Sequence, residues 1–379
     1  MARVLILTAG YGEGHNSAAR ALQAACQEHP GIEAELVDVF ARRAPRLNDF
    51  SRRAYLRMIN AAPSVWSATY RWLDRSPRAP WLFRALAGHR RLLARIIAEK
   101  RPVALVSTYP VYAWLLNRLR RDGHEFCPHF TVVTDALTIN SLWYRTPSAA
   151  WFVTDCESAS FLSFQGLPPE AIHVSGFPVA LAFADRPAAW QPPAPSDRTE
   201  RRVLFMINTA RRPALDIARA LLARREWRIT FTAGRDDLLR RELLALSRGA
   251  PARAEVLGWT NRIPELLMTH HAVISKAGGA TTQEAINALC PLLVSQIVPG
   301  QEEGNFELIR RHEGGARAES PAAITAALDR MFAHDARVWQ HWRANLSRLA
   351  RPDAARTIAA EVLAQAARSD VSPRRAALA

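Results

Sequence analysis

The stretch VISKAGGATTQEAINALCPLLVSQIVPGQEEGN, residues 273–305, decides how the chain is interpreted. An apolar run beginning at Val273 is typical of a buried strand, Gly278 and Gly279 favour a tight turn, and residues 281–289 have a helical composition. Glycine lets the backbone approach a ligand because it has no Cβ, and the first helical N–H groups have no partner within the helix. Such a helix start favours a phosphate or diphosphate, although a plain turn has the same sequence.

Polar residues follow the glycine pair. Thr281 and Glu284 have the spacing of a capping box, in which the glutamate returns to the N-cap N–H group. The alternative is that Glu284 accepts hydrogen bonds from the ribose diol of a nucleotide bound at the helix start. The loop PGQEEGN, residues 299–305, then brings side-chain donors and acceptors to the same strand-end edge. In an open α/β sheet, that edge is where ligands bind.

These two segments carry a resemblance. SKAGGATTQEA followed by PGQEEGN resembles the donor-binding signature of the monogalactosyldiacylglycerol synthase and processive diacylglycerol glucosyltransferase family. More distantly, it is similar to the peptidoglycan N-acetylglucosaminyltransferase. The resemblance implies an α/β fold of two doubly wound Rossmann-like domains that face a cleft, the GT-B glycosyltransferase architecture. It places the acceptor on the N-terminal domain and the nucleotide sugar on the C-terminal domain.

The resemblance also implies the residues that bind the nucleotide sugar. The backbone of the glycine turn would hold the diphosphate, Glu284 the ribose, and the loop after the next strand the sugar hydroxyls. Lys276 matches a basic position before the glycines, with chance retention as the alternative, and residues 256–260 would lie against the base. Arg235 is a candidate from its position after the strand predicted at residues 228–233, where it would meet the diphosphate or be simply an exposed arginine. The complete set is Arg235, Trp259, Thr260, Lys276, Gly278, Gly279, Ala280, Thr281, Glu284, Gln301, Glu302 and Asn305.

A second strand, glycine turn and helix start opens the chain. Residues 2–8 read as a strand, and residues 9–16 as a loop into a helix that carries residues 18–25. GYGEGHNSAARAL resembles the G-x-G-H segment that opens the acceptor domain of the family, with Gly12, Gly14 and His15 matching. His15 would be the general base, since an acceptor hydroxyl must lose its proton as it attacks the sugar. Gly14 and Asn16 are predicted to bind substrate beside it. A cap or a polar surface residue is the alternative for this histidine.

Asp135 is the second catalytic candidate. Thr134 and Asp135, followed by Trp143, resemble the TD…W segment of the family. Asp135 at the end of a strand is predicted to assist His15 or to serve as the base itself. A capping or turn role is the alternative.

The remaining elements divide the chain into domains. Strands are predicted at residues 33–40, 103–107, 130–134, 150–154, 172–175, 203–207 and 228–233. A Pro-rich stretch separates two strand and helix groups, and the last helices are expected to cross back onto the first domain. The predicted limits are 1–180 for the N-terminal domain, 181–202 for the linker, 203–335 for the C-terminal domain, 336–368 for the returning helices and 369–379 for a disordered tail.

Charge and composition suggest where the protein works. Residues 42–101 contain fifteen Arg or Lys and three Asp or Glu, so this segment supplies twelve of the formal charge of +15. Its basic residues are interleaved with Trp, Tyr and Phe. Such a mixture suits an anionic membrane surface, although a solvated helical face is the alternative. No zinc-finger or RNA-recognition signature occurs, so nucleic acid is not expected. Four scattered cysteines and no long apolar run predict a cytoplasmic protein on the inner face of the membrane.

The sequence therefore predicts an inverting glycosyltransferase. The donor would be UDP-glucose or UDP-galactose, and the acceptor diacylglycerol or the glycosyl-diacylglycerol formed from it. No Asp-x-Asp occurs, so no metal and no other cofactor is expected, and helix starts would neutralise the leaving UDP. Two alternatives stay open: a transferase of the same fold with another lipid acceptor or a UDP-N-acetylhexosamine donor, and a non-catalytic peripheral membrane protein that senses UDP-sugar.

Overall fold

The computed structural model describes residues 1–10, 13–46, 50–51, 83–137, 139–195, 200–299 and 302–376. The chain forms two compact units: residues 1–181 with 351–379, and residues 182–350. Each is built around a parallel sheet with helices packed against it. The predicted α/β class, with two doubly wound Rossmann-like domains, is confirmed.

The first unit contains a parallel sheet in the order β2-β1-β3-β4-β5-β6 within the described residues. The strand order reverses between β1 and β3, which makes their carboxyl ends the expected ligand position. The strands are β1 (Ala2–Leu7), β2 (Ile32–Val37), β3 (Ala104–Ser107), β4 (His129–Val132), β5 (Ala150–Val153) and β6 (Ile172–Val174). The helices are α1 (Glu13–Gln27), α2 (Val39–Arg43), α3 (Ala87–Lys100), α4 (Val111–Arg121) and α5 (Cys156–Phe164).

Both faces of the first sheet are covered, which explains why β1 is apolar at successive positions. Val4 and Ile6 pack in one cluster with residues of α1, whereas Leu5 and Leu7 pack in another with residues of α3 and α4. Side chains alternate across a strand, so a strand buried on both sides reads as a continuous apolar run.

The second unit repeats the plan with the order β12-β11-β10-β7-β8-β9 in the part of the chain that the structure describes. Here the reversal lies between β7 and β10. The strands are β7 (Arg201–Met206), β8 (Trp227–Thr232), β9 (Ala254–Leu257), β10 (Ala272–Lys276), β11 (Leu292–Gln296) and β12 (Gly315–Arg317). The helices are α6 (Arg211–Leu222), α7 (Asp237–Ser247), α8 (Ile263–Thr269), α9 (Gly279–Ala288), α10 (Glu303–Arg311) and α11 (Pro321–Leu349).

The strand predicted at residues 33–40 ends earlier than expected. β2 stops at Val37, and Asp38 is the N-cap of α2, where its Oδ1 accepts the N–H of Ala41 at 2.9 Å. The other carboxylate oxygen accepts the N–H of Gly10 at 3.1 Å. An aspartate between apolar residues thus ends the strand, because its side chain offers the backbone a cap.

The helices predicted to return to the first domain, residues 336–368, are divided between the two units. Helix α11 is interrupted at residues 333–336, yet Trp339 beyond the break packs in the core of the second unit and donates its Nε1–H to His271 O at 2.7 Å. Only α12 (Ala354–Ala376) joins the first unit, where Ile358 is buried against its core. The backbone of α12 remains helical to Ala376, so residues 369–376 do not form the predicted disordered tail.

The predicted linker, residues 181–202, is attached to the second unit over part of its length. Arg186 donates to the carbonyl oxygens of Asn287 and Ala288 at 3.3 and 2.9 Å. His271 forms a hydrogen bond through Nε2 with Pro193 O at 2.9 Å. Burial lowers the pKa of Arg186, which indicates partial removal of its guanidinium from water. This stretch therefore packs against the second domain.

The segment predicted to contact a membrane, residues 42–101, lies in large part outside the described residues, which omit 47–49 and 52–82. Its described end is the helix α3. Within the described ranges, no helix combines the length and the apolar composition that a membrane span requires.

Candidate active site

The candidate site of the first unit lies where β1 and β3 end. α1 is already helical at Glu13, so His15 lies in its first turn and not in a loop as expected. Thr108, just after β3, donates its hydroxyl to His15 O at 3.0 Å. Asn16 accepts the Thr8 hydroxyl at 3.0 Å through Oδ1. These bonds fix the start of α1 to the ends of both strands. Gly14 is part of this turn, and Gly12 lies outside the described residues.

The His15 imidazole is enclosed by polar and aromatic neighbours. Its Nδ1 forms a hydrogen bond of 2.9 Å with the Thr134 hydroxyl. Its ring lies 5.2 Å from the Tyr109 ring, edge to face, and 6.1 Å from the ring of Trp143. Burial lowers the pKa of His15 to about 4. The imidazole is therefore neutral near physiological pH, the state in which it can accept a proton.

Asp135 shares neighbours with His15. Its Oδ2 accepts the indole N–H of Trp143 at 2.7 Å, and the preceding residue is Thr134, which binds the imidazole. Burial raises the pKa of Asp135 to about 6, although hydrogen bonds from Trp143 and from the backbone of Asn140 oppose the shift. Burial thus shifts the two pKa values in opposite directions, and the partner of Nδ1 is Thr134 and not Asp135.

The Thr134 hydroxyl can accept a hydrogen bond from His15 Nδ1 or donate one to it, so two neutral forms of the imidazole fit this contact. When Nδ1 carries the proton and donates it to the threonine oxygen, Nε2 holds the lone pair that a general base needs. When the hydroxyl donates instead, Nε2 carries the proton and cannot accept one. The sequence included Thr134 only as a neighbour of Asp135. A polar residue at the end of the predicted strand 130–134 was the signal that pointed to it.

We expect Thr134→Val to lower kcat about tenfold and to leave KM for the donor unchanged, because the isosteric change removes one hydrogen bond of about 1–1.5 kcal/mol and keeps the shape. Thr134→Ser should restore most of the rate, since it returns the hydroxyl. Steady-state kinetics of the two variants measure this. Equal rates for Thr134→Val and the parent would show that the hydroxyl does not orient the imidazole.

The candidate site of the second unit is the start of α9, directly after β10. The N-cap is Gly278, and no side chain caps this helix end. Thr281 is not the N-cap that the capping-box alternative required, because the helix begins two residues before it and leaves Thr281 inside the first turn. The N–H groups of Gly279, Ala280 and Thr281 have no partner within the helix. They form the kind of site that binds a phosphate.

Two buried side chains fix this helix start. Glu302 forms an ion pair with the Lys276 ammonium and accepts the N–H of Val298 at 3.0 Å. Asn305 donates from Nδ2 to Ala277 O at 3.0 Å. The sequence predicted sugar contacts for Glu302 and Asn305, whereas the structure gives both of them protein partners. Glu302 is 4% exposed and Asn305 is 5% exposed. Their visible contacts hold the segment that leads into α9.

Asn208 was missed by the sequence analysis. It follows β7, accepts the N–H of Lys276 at 3.2 Å and donates to the Ser275 hydroxyl at 3.0 Å. The residue therefore joins the two strands between which the sheet order reverses. Its position at the end of a buried strand was the available signal, but one asparagine after a strand is also common in ordinary turns.

The other predicted donor residues occupy the same unit. Arg235 stacks over the ring of Trp259, with 5.8 Å from its Cζ to the centroid, and Trp259 is 67% exposed. The Thr260 hydroxyl accepts the N–H of Arg262 at 3.1 Å. Glu284 is half-buried in the second turn of α9. Gln301 lies outside the described residues.

Comparisons with known proteins agree with this architecture. Residues 15–179 match the family model described as Monogalactosyldiacylglycerol (MGDG) synthase. The processive diacylglycerol beta-glucosyltransferase of Bacillus cereus (strain AH187) is 24% identical over 370 residues, which cover 96% of this chain and 94% of that protein.

Solved structures show the same fold. S. aureus MnaA, in its co-structure with UDP, has a TM-score of 0.63 at 12% identity and covers 94% of this chain and 95% of its own. Phytolacca americana UGT2, complexed with UDP-2-fluoro-glucose and pterostilbene, has a TM-score of 0.61 at 11% identity, with 97% and 99% covered. The resemblance to the monogalactosyldiacylglycerol synthase and processive diacylglycerol glucosyltransferase family is therefore confirmed, and with it the glycosyltransferase class of the protein.

Proposed function

We propose that this protein transfers a hexose from UDP-glucose or UDP-galactose to the free hydroxyl of diacylglycerol, with inversion at the anomeric carbon. The observation that carries the proposal is the pair of functional groups found where the strand order of each sheet reverses. One reversal holds a neutral imidazole, and the other holds an uncapped helix start beside a lysine. The name of the Bacillus cereus relative and the family match support diacylglycerol as the acceptor.

The second unit binds the donor in this proposal. The N–H groups of residues 279–281 and the Lys276 ammonium hold the diphosphate, whose charge grows as the sugar departs. Glu284 accepts the ribose hydroxyls, and Arg235, Trp259 and Thr260 lie at the base and diphosphate. Across the described ranges, no group of three or more His, Cys, Asp or Glu side chains is placed to hold a metal ion. We propose that backbone donors and Lys276 neutralise the leaving UDP without a cofactor.

The first unit activates the acceptor. The lipid oxygen attacks the anomeric carbon, its proton passes to Nε2 of His15, and the bond from that carbon to the UDP oxygen breaks. We propose that the Thr134 hydroxyl accepts the proton of Nδ1, which leaves the Nε2 lone pair free, and that Asp135, which binds Trp143 beside the imidazole, assists His15. The alternative assignment makes Asp135 the base. The pH dependence of the rate distinguishes the two.

We expect kcat/KM to be constant near neutral pH and to fall as the pH decreases through about 4, because protonation of His15 removes the base. The sign follows from the lowered pKa, since the active form is the neutral one above that value. If kcat/KM of the parent instead decreases as the pH falls through about 6, and this decrease is absent in Asp135→Asn, the base is Asp135. Circular dichroism at each pH confirms that the protein remains folded.

The function is tested with purified protein, diacylglycerol vesicles and radiolabelled UDP-glucose, UDP-galactose and UDP-N-acetylglucosamine. We expect one of the first two donors to label a lipid that thin-layer separation identifies as glycosyl-diacylglycerol, with an anomeric configuration opposite to that of the donor. The same plate shows how many sugars are added, and an arm with EDTA tests the metal proposal. Labelling of a polyprenyl acceptor alone, or nucleotide binding with no product from any acceptor, would overturn this assignment.

We also propose that the protein works at the inner face of the cell membrane as a peripheral protein. The proposal follows from the lipid acceptor and from the basic composition of residues 42–101. Fractionation of cells into membrane and supernatant, with and without a high-salt wash, measures the attachment. Recovery entirely in the supernatant at low salt would contradict it.

A further inference from the structure

A cavity of about 390 Å³ in the first unit is lined by arginines. Its lining is Arg43 at the end of α2 and Gly88, Arg91, Leu92 and Arg95 on α3. Helices α2 and α3 pack against each other, so the cavity is formed by the described part of the basic segment. His15 is not among its lining residues, and the proposed transfer reaction does not use it.

The arginines of this cavity differ from the other cations on the same two helices. Arg42 and Lys100 are paired with Glu35, at 3.1 and 3.0 Å, and Arg90 is paired with Asp122 at 2.8 Å. Among the residues that the structure describes, no carboxylate lies within 4.0 Å of the cavity arginines, which are Arg43, Arg91 and Arg95.

This unpaired charge is unfavourable to the protein alone. Arg91 and Arg95 are one helical turn apart, where like charges repel. Arg43 lies against the first turn of α3, the positive end of that helix, which contains no acidic residue. Burial lowers the pKa of His89 in this turn, and the charge of Arg43 lowers it further. A bound anion would neutralise this positive charge and make the arrangement favourable.

Gly88 allows the arginine to approach so closely. A Cβ at this position would lie 3.1 Å from Arg43 Nε, closer than an ordinary contact. Without it, the guanidinium lies beside the backbone of α3. Three planar guanidinium groups around one cavity match the tetrahedral oxygens of a phosphate, which arginine binds with paired hydrogen bonds.

We propose that Arg43, Arg91 and Arg95 form a binding site for a phosphate group, and that the phosphate is the headgroup of an anionic phospholipid. The choice of a lipid phosphate rests on the proposed function, because an enzyme that acts on diacylglycerol meets such headgroups at the bilayer surface. The apolar Leu92 beside the guanidinium groups suits the glycerol and acyl boundary of a lipid.

The test compares two double variants that lose the same charge from the same helices. Arg91→Gln with Arg95→Gln removes two cavity arginines, whereas Arg42→Gln with Arg90→Gln removes two ion-paired arginines outside it. Sedimentation with phosphatidylcholine vesicles that contain about 30 mol% phosphatidylglycerol measures partitioning. We expect the cavity variant to bind about 30-fold more weakly than the parent, at about 1 kcal/mol for each arginine, and the control variant to stay within about threefold.

Further arms define the ligand. A second set of vesicles has the same charge density, but its negative charge comes from a fatty acid carboxylate instead of a phosphate. The two variants should bind these vesicles with similar affinity. An equal loss in both variants, or equal selectivity for carboxylate and phosphate vesicles, would overturn the site. Saturable binding of inorganic phosphate that requires Arg91 and Arg95, with vesicle binding unchanged, would overturn the lipid source.

Glycosyl transfer to diacylglycerol in neutral detergent micelles separates this proposal from the proposed function. The cavity variant should transfer at the parental rate there, because micelles carry no anionic headgroup. Retained transfer without any difference in vesicle binding would reject the phosphate site alone. Absence of transfer by the parent both in micelles and with vesicles that contain phosphatidylglycerol would reject the proposed function, and vesicle partitioning would still report on the arginines.

Discussion

Replacement of His15 by alanine is expected to lower kcat by about 10²–10⁴-fold, the usual contribution of a positioned general base. The affinity for UDP should stay within about twofold, because His15 belongs to the first unit and the proposed diphosphate site to the second. Single-turnover transfer with labelled donor measures the rate, and titration calorimetry with UDP measures binding.

His124→Ala is the matched control for this variant. His124 is an exposed histidine of the same unit that follows α4, and only its backbone N–H is bonded, to Leu119 O at 3.0 Å. Its removal should leave the rate unchanged. Equal rates for His15→Ala and the parent would exclude His15 as the base and would direct attention to Asp135. A parallel loss of UDP affinity in His15→Ala would show that the substitution disturbs more than proton transfer.

Much of the fold was predictable because burial on both sides of a sheet leaves a simple pattern. Continuous apolar runs such as Val4–Leu7 and Val203–Phe205 mark parallel strands, and both are buried. Strand ends were harder to predict, since they depend on single side chains. Asp38 ends β2 by capping α2, and the apolar residues that follow it resemble more strand.

The assignment of the last helices shows a different limit. Residues 336–349 and 354–366 have similar amphipathic sequences, yet Trp339 packs in the second unit and Ile358 in the first. An apolar helical face indicates that a helix packs, but it does not identify the core that receives it. Long-range partners such as His271 O for Trp339 decide the matter, and they are visible only in three dimensions.

Those parts of the candidate site that are formed by the backbone at a helix start could be predicted from the sequence. Residues whose role depends on a distant side-chain partner could not. The glycine turn before α9 and the histidine at the start of α1 were identified from local sequence. Thr134 and Asn208 were missed because their partners, His15 and Lys276, are more than 60 residues away. The resemblance assigned Glu302 to the sugar, whereas its burial beside Lys276 became apparent only in the fold.

Replacement of Gly278 by alanine is the second change for which we expect a large effect, in this case on UDP affinity. Neither the backbone conformation nor the neighbouring protein atoms require a glycine at this position. Its φ of −69° and ψ of 141° are open to any residue. An added Cβ would lie 3.6 Å from Lys276 Cε and 3.7 Å from Glu302 Oε1, which are ordinary contacts. Gly278→Ala should therefore fold and change the free energy of unfolding by less than about 1 kcal/mol.

Donor binding should respond very differently to the same methyl group. The Cβ would lie 3.9 Å from Lys276 Nζ, within the space that a phosphate bound to that ammonium and to the N–H groups of α9 must enter. Loss of two charge-assisted hydrogen bonds, at about 1.5 kcal/mol each, weakens UDP binding on the order of 100-fold. Calorimetry with UDP measures the affinity and thermal unfolding measures stability, with Gly249→Ala as the control, because its added Cβ meets open space. Unchanged UDP affinity in a folded Gly278→Ala would mean that the diphosphate does not approach this helix start, and the proposed donor site would have to be abandoned.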